Sequence, residues 1–80
     1  MRLDKFLKVS RIIKRRTVAN EAADAGRVTI NGKPAKPSAE VKEGDVLEIR
    51  FGEKMSRYEV LSVTEHATKA GAAELYRPLP

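Results

Sequence analysis

Leu3, Phe6 and Leu7 recur at the i, i+3, i+4 spacing, and Arg2, Lys5 and Lys8 fall between them. Wound as a helix, this pattern gives one apolar stripe to bury and one cationic face to display. Residues 10–16 read as a connection with a short turn, Ile12 and Ile13 facing inward and Arg11, Lys14, Arg15 and Arg16 outward. Thr17 is a suitable N-cap, Val18, Ala22 and Ala25 repeat at i, i+4, i+7, and Gly26 suits the left-handed residue that closes a helix. A second helix is therefore expected over 17–25, packed closely on the first through small side chains. Glu21 and Asp24 would take its solvent side.

From Arg27 the period shortens to two. Val28 and Ile30 alternate with Thr29 and Asn31 ahead of Asn31-Gly32, a strong hairpin signal. Pro34 and Pro37 exclude a central strand, so 33–38 is expected as an exposed loop with a short edge segment at 34–36. After Val41 and a turn at 42–45, Leu47, Ile49 and Phe51 alternate with Glu48 and Arg50 as a half-buried strand. A turn at 52–54 returns the chain as a partner strand over 55–63. There Tyr58 and Val60 face one way and Leu61 and Val63 the other, which calls for a bulge or for an end that enters the core at a changed angle. Residues 68–76 have alanine-rich helical propensity, with Leu75 and Tyr76 as docking residues and Pro78 and Pro80 as stops. The expectation is an α+β domain over 1–63 and a tail over 64–80 that carries at most a short docking helix.

Composition sharpens this picture at one place. The first sixteen residues carry seven basic side chains and one acid, hence +6, whereas the whole chain is +5 and the other sixty-four residues sum to −1. Ordinary solvated helix faces mix signs; this one has a single carboxylate, Asp4, placed near the helix start and one turn before Lys8. So local a field points to a polyanionic partner. Eighty residues make one small domain with no room for a deep catalytic cleft. The absence of cysteine excludes a disulfide scaffold and fits a reducing cytoplasm. Charges break every apolar run, so neither a signal peptide nor a membrane span is expected.

Enzymatic chemistry finds little support. The one histidine, His66, has no assignable partner and reads as exposed or structural; the glycines at 26, 32, 44, 52 and 71 are spaced for turns, and no metal-ligand spacing is present. No cofactor or metal is expected. Nucleic-acid binding explains more, because Lys and Arg neutralise phosphates and release counterions; about four such contacts give a log–log salt slope of roughly −3 on irregular RNA. With two Phe, two Tyr and no Trp, a base-stacking sheet is disfavoured, Phe6 and Phe51 being assigned to the core. A DNA-reading helix-turn-helix is also disfavoured, since the second helix would present Val18, Ala19, Asn20, Glu21 and Asp24. A rigid basic helical face, with the loop tips at Asn31, Gly32, Lys33 and Lys36, is left to follow a folded RNA backbone.

The ordered set Arg2-Leu3-Asp4-Lys5-Phe6-Leu7, Ser10-Arg11, Lys14-Arg15-Arg16-Thr17, Gly26-Arg27-Val28-Thr29-Ile30-Asn31-Gly32, Lys36-Pro37-Ser38 and Gly44-Asp45-Val46-Leu47 resembles the S4 RNA-binding domain over about residues 2–51. The resemblance implies two helices beside a bent antiparallel sheet, docking on structured RNA. It places Arg2, Lys5, Arg11, Lys14, Arg15 and Arg16 at RNA-facing positions, with Lys8 on the same face. Asp4 would orient these cations or itself touch a base or ribose. Asn31 and Gly32 match the family hairpin, and Lys33 and Lys36 could reach phosphate.

Among free-standing members the similarity is to the small bacterial ribosome-associated quality-control factors, relatives of the S4-containing ribosomal heat-shock protein. That resemblance implies a cytoplasmic protein, monomeric off the ribosome, that docks on an obstructed large ribosomal subunit and contacts large-subunit rRNA and peptidyl-tRNA. It would support an RqcH-type quality-control factor in alanine tailing, with the chemistry left to the ribosome. The alternatives are a ribosome-assembly or heat-shock S4 factor and the S4 appendage of an RNA-modifying enzyme.

Overall fold

The computed structural model describes residues 1–65 and 67–80; His66, read above as exposed or structural, lies outside them. The first stripe is buried as its spacing demands, with Leu3, Phe6 and Leu7 fully enclosed on α1 (Leu3–Val9). No side chain caps the start of this helix. A distant loop does so instead: the Leu3 and Asp4 amides donate to the carbonyls of Ala39 and Pro37 at 2.8 and 3.1 Å, and the Val41 amide donates to the Met1 carbonyl at 2.8 Å. Amides that a helix start leaves without partners are thus satisfied from some 36 residues away. At the other end Arg11 takes the left-handed position, φ 62°.

The second helix, α2 (Arg16–Asp24), begins one residue earlier than expected, with Arg15 at the N-cap and no side-chain cap; Thr17 is exposed inside the first turn. Its buried stripe is Ala19, Ala22 and Ala23, while Val18 and Ala25 are exposed. Two apolar stripes share this helix, and close approach to α1 favours the one made of methyl groups alone. The exit is as expected. Gly26 has φ 77°, its amide donates to Ala23 and the Arg27 amide to Ala22, both at 3.0 Å, which together make a Schellman closure.

The sheet is antiparallel throughout, in the order β2-β1-β3-β4-β5. Strands β1 (Val28–Ile30) and β2 (Lys33–Pro34) are joined by Asn31-Gly32, with φ 52° and 84°, the positive values a two-residue hairpin turn needs. Strand β3 (Val46–Phe51) buries Leu47 and Ile49, but Phe51 is 44% exposed. It stands in the last pair of the ladder, opposite Lys54. Its assignment to the core is thereby corrected: alternation continues to the strand tip, whereas the buried cluster includes only Leu47 and Ile49 of this strand.

Strand β4 (Lys54–Val60) pairs with β3 in unbroken register from Phe51↔Lys54 to Val46↔Glu59, so the change of facing needs no bulge. The strand simply ends, and the Leu61 and Ser62 amides both turn to the Leu75 carbonyl. The helix expected over 68–76 is one turn, α3 (Lys69–Ala72), opened by Thr68 Oγ1 accepting from the Gly71 amide at 3.0 Å. Beyond buried Leu75, β5 (Tyr76–Leu79) joins the edge of β4 as a fifth strand. Hydrogen bonds offered by an open strand edge outweigh local alanine propensity here, and Pro78 is tolerated because an edge strand can spare an amide.

Candidate nucleic-acid interface

Asp4 organises the basic face from below. Its side chain is 3% exposed, and its two oxygens accept from Arg2 Nε at 3.2 Å and Nη2 at 3.3 Å, from Arg16 Nη2 and Asn20 Nδ2 at 3.4 Å each, and from the Lys5 amide at 2.8 Å. Burial by itself would raise the Asp4 pKa. Hydrogen bonds from Asn20, Arg2 and Arg16, with the charge of Arg16, outweigh it and hold the carboxyl below the usual aspartate value. Arg2 and Arg16 remain 52% and 45% exposed, so the acid holds one edge of each guanidinium and leaves the rest of it for a ligand. Asp4 is therefore no surface partner of Lys8 but a buried clamp that joins the start of α1 to α2. Asn20 belongs to this clamp; its place one turn after Arg16 was the available sequence signal.

Next to the clamp, Lys5, Lys8, Arg11, Lys14 and Arg16 line an open cleft of about 480 Å³ together with Val9, Glu65 and Ala67. Lys5 pairs with Glu65. Lys8, Arg11, Lys14 and Arg15 make no ion pair with any described residue. The described residues of the cleft thus present five cations and one carboxylate, an arrangement suited to a run of phosphates. Arg15, at the N-cap of α2, is exposed outside the cleft lining.

The remaining sequence candidates lie elsewhere. Asn31 is spent internally: its Nδ2 donates to Asp45 at 3.1 Å and its Oδ1 accepts from the Val46 amide at 2.9 Å, which locks the β1–β2 turn to the turn before β3. Lys33 is exposed on edge strand β2. Lys36 is exposed next to Pro37, the residue whose carbonyl caps α1, and so stands toward the Arg2 end of the face. Sequence reasoning missed Lys69. On α3 it meets Arg11 and Lys14 around a second hollow of about 400 Å³, floored by Ser10, Ala72, Ala73 and Tyr76.

This geometry can be set beside known proteins. The S4 domain matches residues 1–47, more than half of the chain. The chain belongs to the S4 domain family. The matched S4 domain region contains α1, α2, the Asp4 clamp and every basic residue of the cleft. Relatives with similar sequences include the RQC P-site tRNA stabilizing factors of Halalkalibacterium halodurans and of Bacillus subtilis strain 168. They are 57% and 55% identical over 76 residues, which span 95% of this chain and 86% and 88% of theirs. Among solved structures, trimeric Heat Shock Protein 15 of Vibrio cholerae superposes with a TM-score of 0.89 at 31% identity, covering 99% of this chain and 81% of that one. The likeness to that structure continues past the residues that match the S4 domain.

Proposed function

We propose that this S4 domain protein is a non-catalytic RNA-binding factor of ribosome-associated quality control that stabilises tRNA on the large ribosomal subunit. The observation that carries the reading is the cleft whose described residues bring together five cations and one carboxylate, with Arg16 of the cleft and Arg2 beside it held by buried Asp4. Such a face grips phosphates along a folded backbone without reading sequence. Extensive similarity to proteins named RQC P-site tRNA stabilizing factor supports tRNA as one partner and the obstructed subunit as the place.

In this reading Arg2, Lys5, Lys8, Arg11, Lys14, Arg15 and Arg16 contact RNA, Lys33 and Lys36 extend the contact beyond the cleft, and Asp4 and Asn31 hold the shape. The protein works in the cytoplasm, contacts both large-subunit rRNA and peptidyl-tRNA, and supports an RqcH-type factor in alanine tailing. Sedimentation of the tagged protein from lysate tests this, with each fraction probed for tRNA. Comigration with large subunits that retain peptidyl-tRNA is expected. Comigration with large subunits free of tRNA would favour the heat-shock or assembly role, and a protein that stays at the top of a low-salt gradient would refute ribosome binding.

A further inference from the structure

We infer that the hollow between the α1–α2 connection, α3 and the start of β5 is a binding site for one unstacked nucleotide, whose base lies on Tyr76 and whose phosphate is held by Arg11, Lys14 and Lys69. The inference rests on the RNA-binding reading and adds a second, chemically different subsite to it. The hollow, about 400 Å³, adjoins the cleft through two shared residues, Arg11 and Lys14. A backbone that follows the cleft therefore arrives at the hollow without leaving cationic surface.

Both spaces have apolar lining, Val9 and Ala67 in the cleft and Ala72 and Ala73 in the hollow, but of the two only the hollow has an aromatic ring among its described lining residues, Tyr76, which a phosphate has no use for and a nucleobase does. Tyr76 is partly buried and meets Tyr58 edge to face, centroids 5.3 Å apart and planes at 86°. That contact orders the ring, and the part of it that lines the hollow needs little further ordering for a base to stack. Arg11, one of the two residues common to both spaces, is held at φ 62°, a backbone region that costs any residue but glycine. Strain of this kind marks places where the direction of a side chain matters more than local stability. Here it sets a guanidinium at the boundary between the cleft and the aromatic floor.

The test compares a plain RNA duplex with the same duplex bearing a single bulged 2-aminopurine, titrated against the full chain at matched salt. The bulged RNA is expected to bind roughly tenfold more tightly, the fold-change of about 1.4 kcal/mol and within the range for one base on one aromatic ring. Its fluorescence is expected to be quenched on binding. Tyr76→Leu should abolish both the preference and the quenching while plain-duplex affinity and its salt slope stay as they were. Lys69→Ala, a change at an exposed position, should weaken the bulged RNA alone. Equal binding of the two RNAs by the unmodified protein, without quenching, would overturn the nucleotide site and leave phosphate recognition by the cleft intact. Failure to bind either RNA would overturn the underlying reading and this inference with it.

Discussion

Two surfaces of this small protein carry many arginines and lysines, and they treat them in opposite ways. On the outer face of the sheet the pairing is one to one and exposed: Arg57 lies 3.9 Å from Glu48, and Arg77 meets Glu59. On the helical face the central acid is buried and the cations are not: one carboxylate, Asp4, takes both Arg2 and Arg16 from below, and among the described residues of the cleft Glu65, paired with Lys5, is the acid left at the surface. Similar residue types therefore yield a mixed-sign solvated surface in one place and an oriented cationic one in the other. What separates a binding face from a soluble face is where its acids are, more than how many bases it has. A carboxylate beside a cation in water competes with an incoming phosphate; one beneath it aims the cation and is itself out of reach.

The contrast can be broken most severely at Asp4. Asp4→Ala should cost about 2 kcal/mol, because Asn20 and the Lys5 amide lose their acceptor in a buried site. It should also weaken RNA binding by releasing Arg2 and Arg16, seen as a lower denaturation midpoint together with a weaker titration. The same residue carries a pH signature. Its folded pKa lies below the ordinary aspartate value, so its stabilisation is complete above that value and is lost as pH falls through the folded one. Acid titration of stability should therefore be steeper for the unmodified protein than for Asp4→Asn.

A smaller effect is expected from Lys8→Ala combined with Lys14→Ala, which removes two unpaired cations of the cleft. The log–log salt slope of RNA binding should fall by roughly 1.4, at about 0.7 for each single-strand phosphate left without its cation. The melting temperature should hardly move. Smallest of all is Arg57→Ala on the sheet, where stability should change by no more than about 0.5 kcal/mol and RNA affinity not at all. A marked loss of RNA binding there would mean that the paired face also takes part.

The helical face was legible in the sequence because its information is local. Three buried residues at helical spacing and a run of bases are visible within sixteen positions, and Leu3, Phe6 and Leu7 lie where that spacing puts them. Gly26 and Asn31-Gly32 were legible for the same reason, since a positive φ is a demand on single residues. What was hidden depends on partners far along the chain. Asp4 looked like a surface acid because nothing within a helical turn announces Asn20 and Arg16 above it. Val18 and Ala25 stood in the expected stripe where the fold buries Ala19 and Ala23, a choice settled only once α1 sets the distance between the helices. Tyr76 looked helical among alanines until β4 offered it an edge, and with that misreading the hollow around Lys69 could not be seen.

The loop that closes the start of α1 has a consequence for the order of events during synthesis. The acceptors for the Leu3 and Asp4 amides are the carbonyls of Ala39 and Pro37, and the backbone of Arg2 pairs antiparallel with that of Glu40. A chain made from its amino end therefore exposes its most cationic stretch first and can fasten it only after residue 40 has emerged. Until then this segment is a basic peptide that the 37–41 loop does not yet hold, in reach of the RNA of the ribosome that is making it.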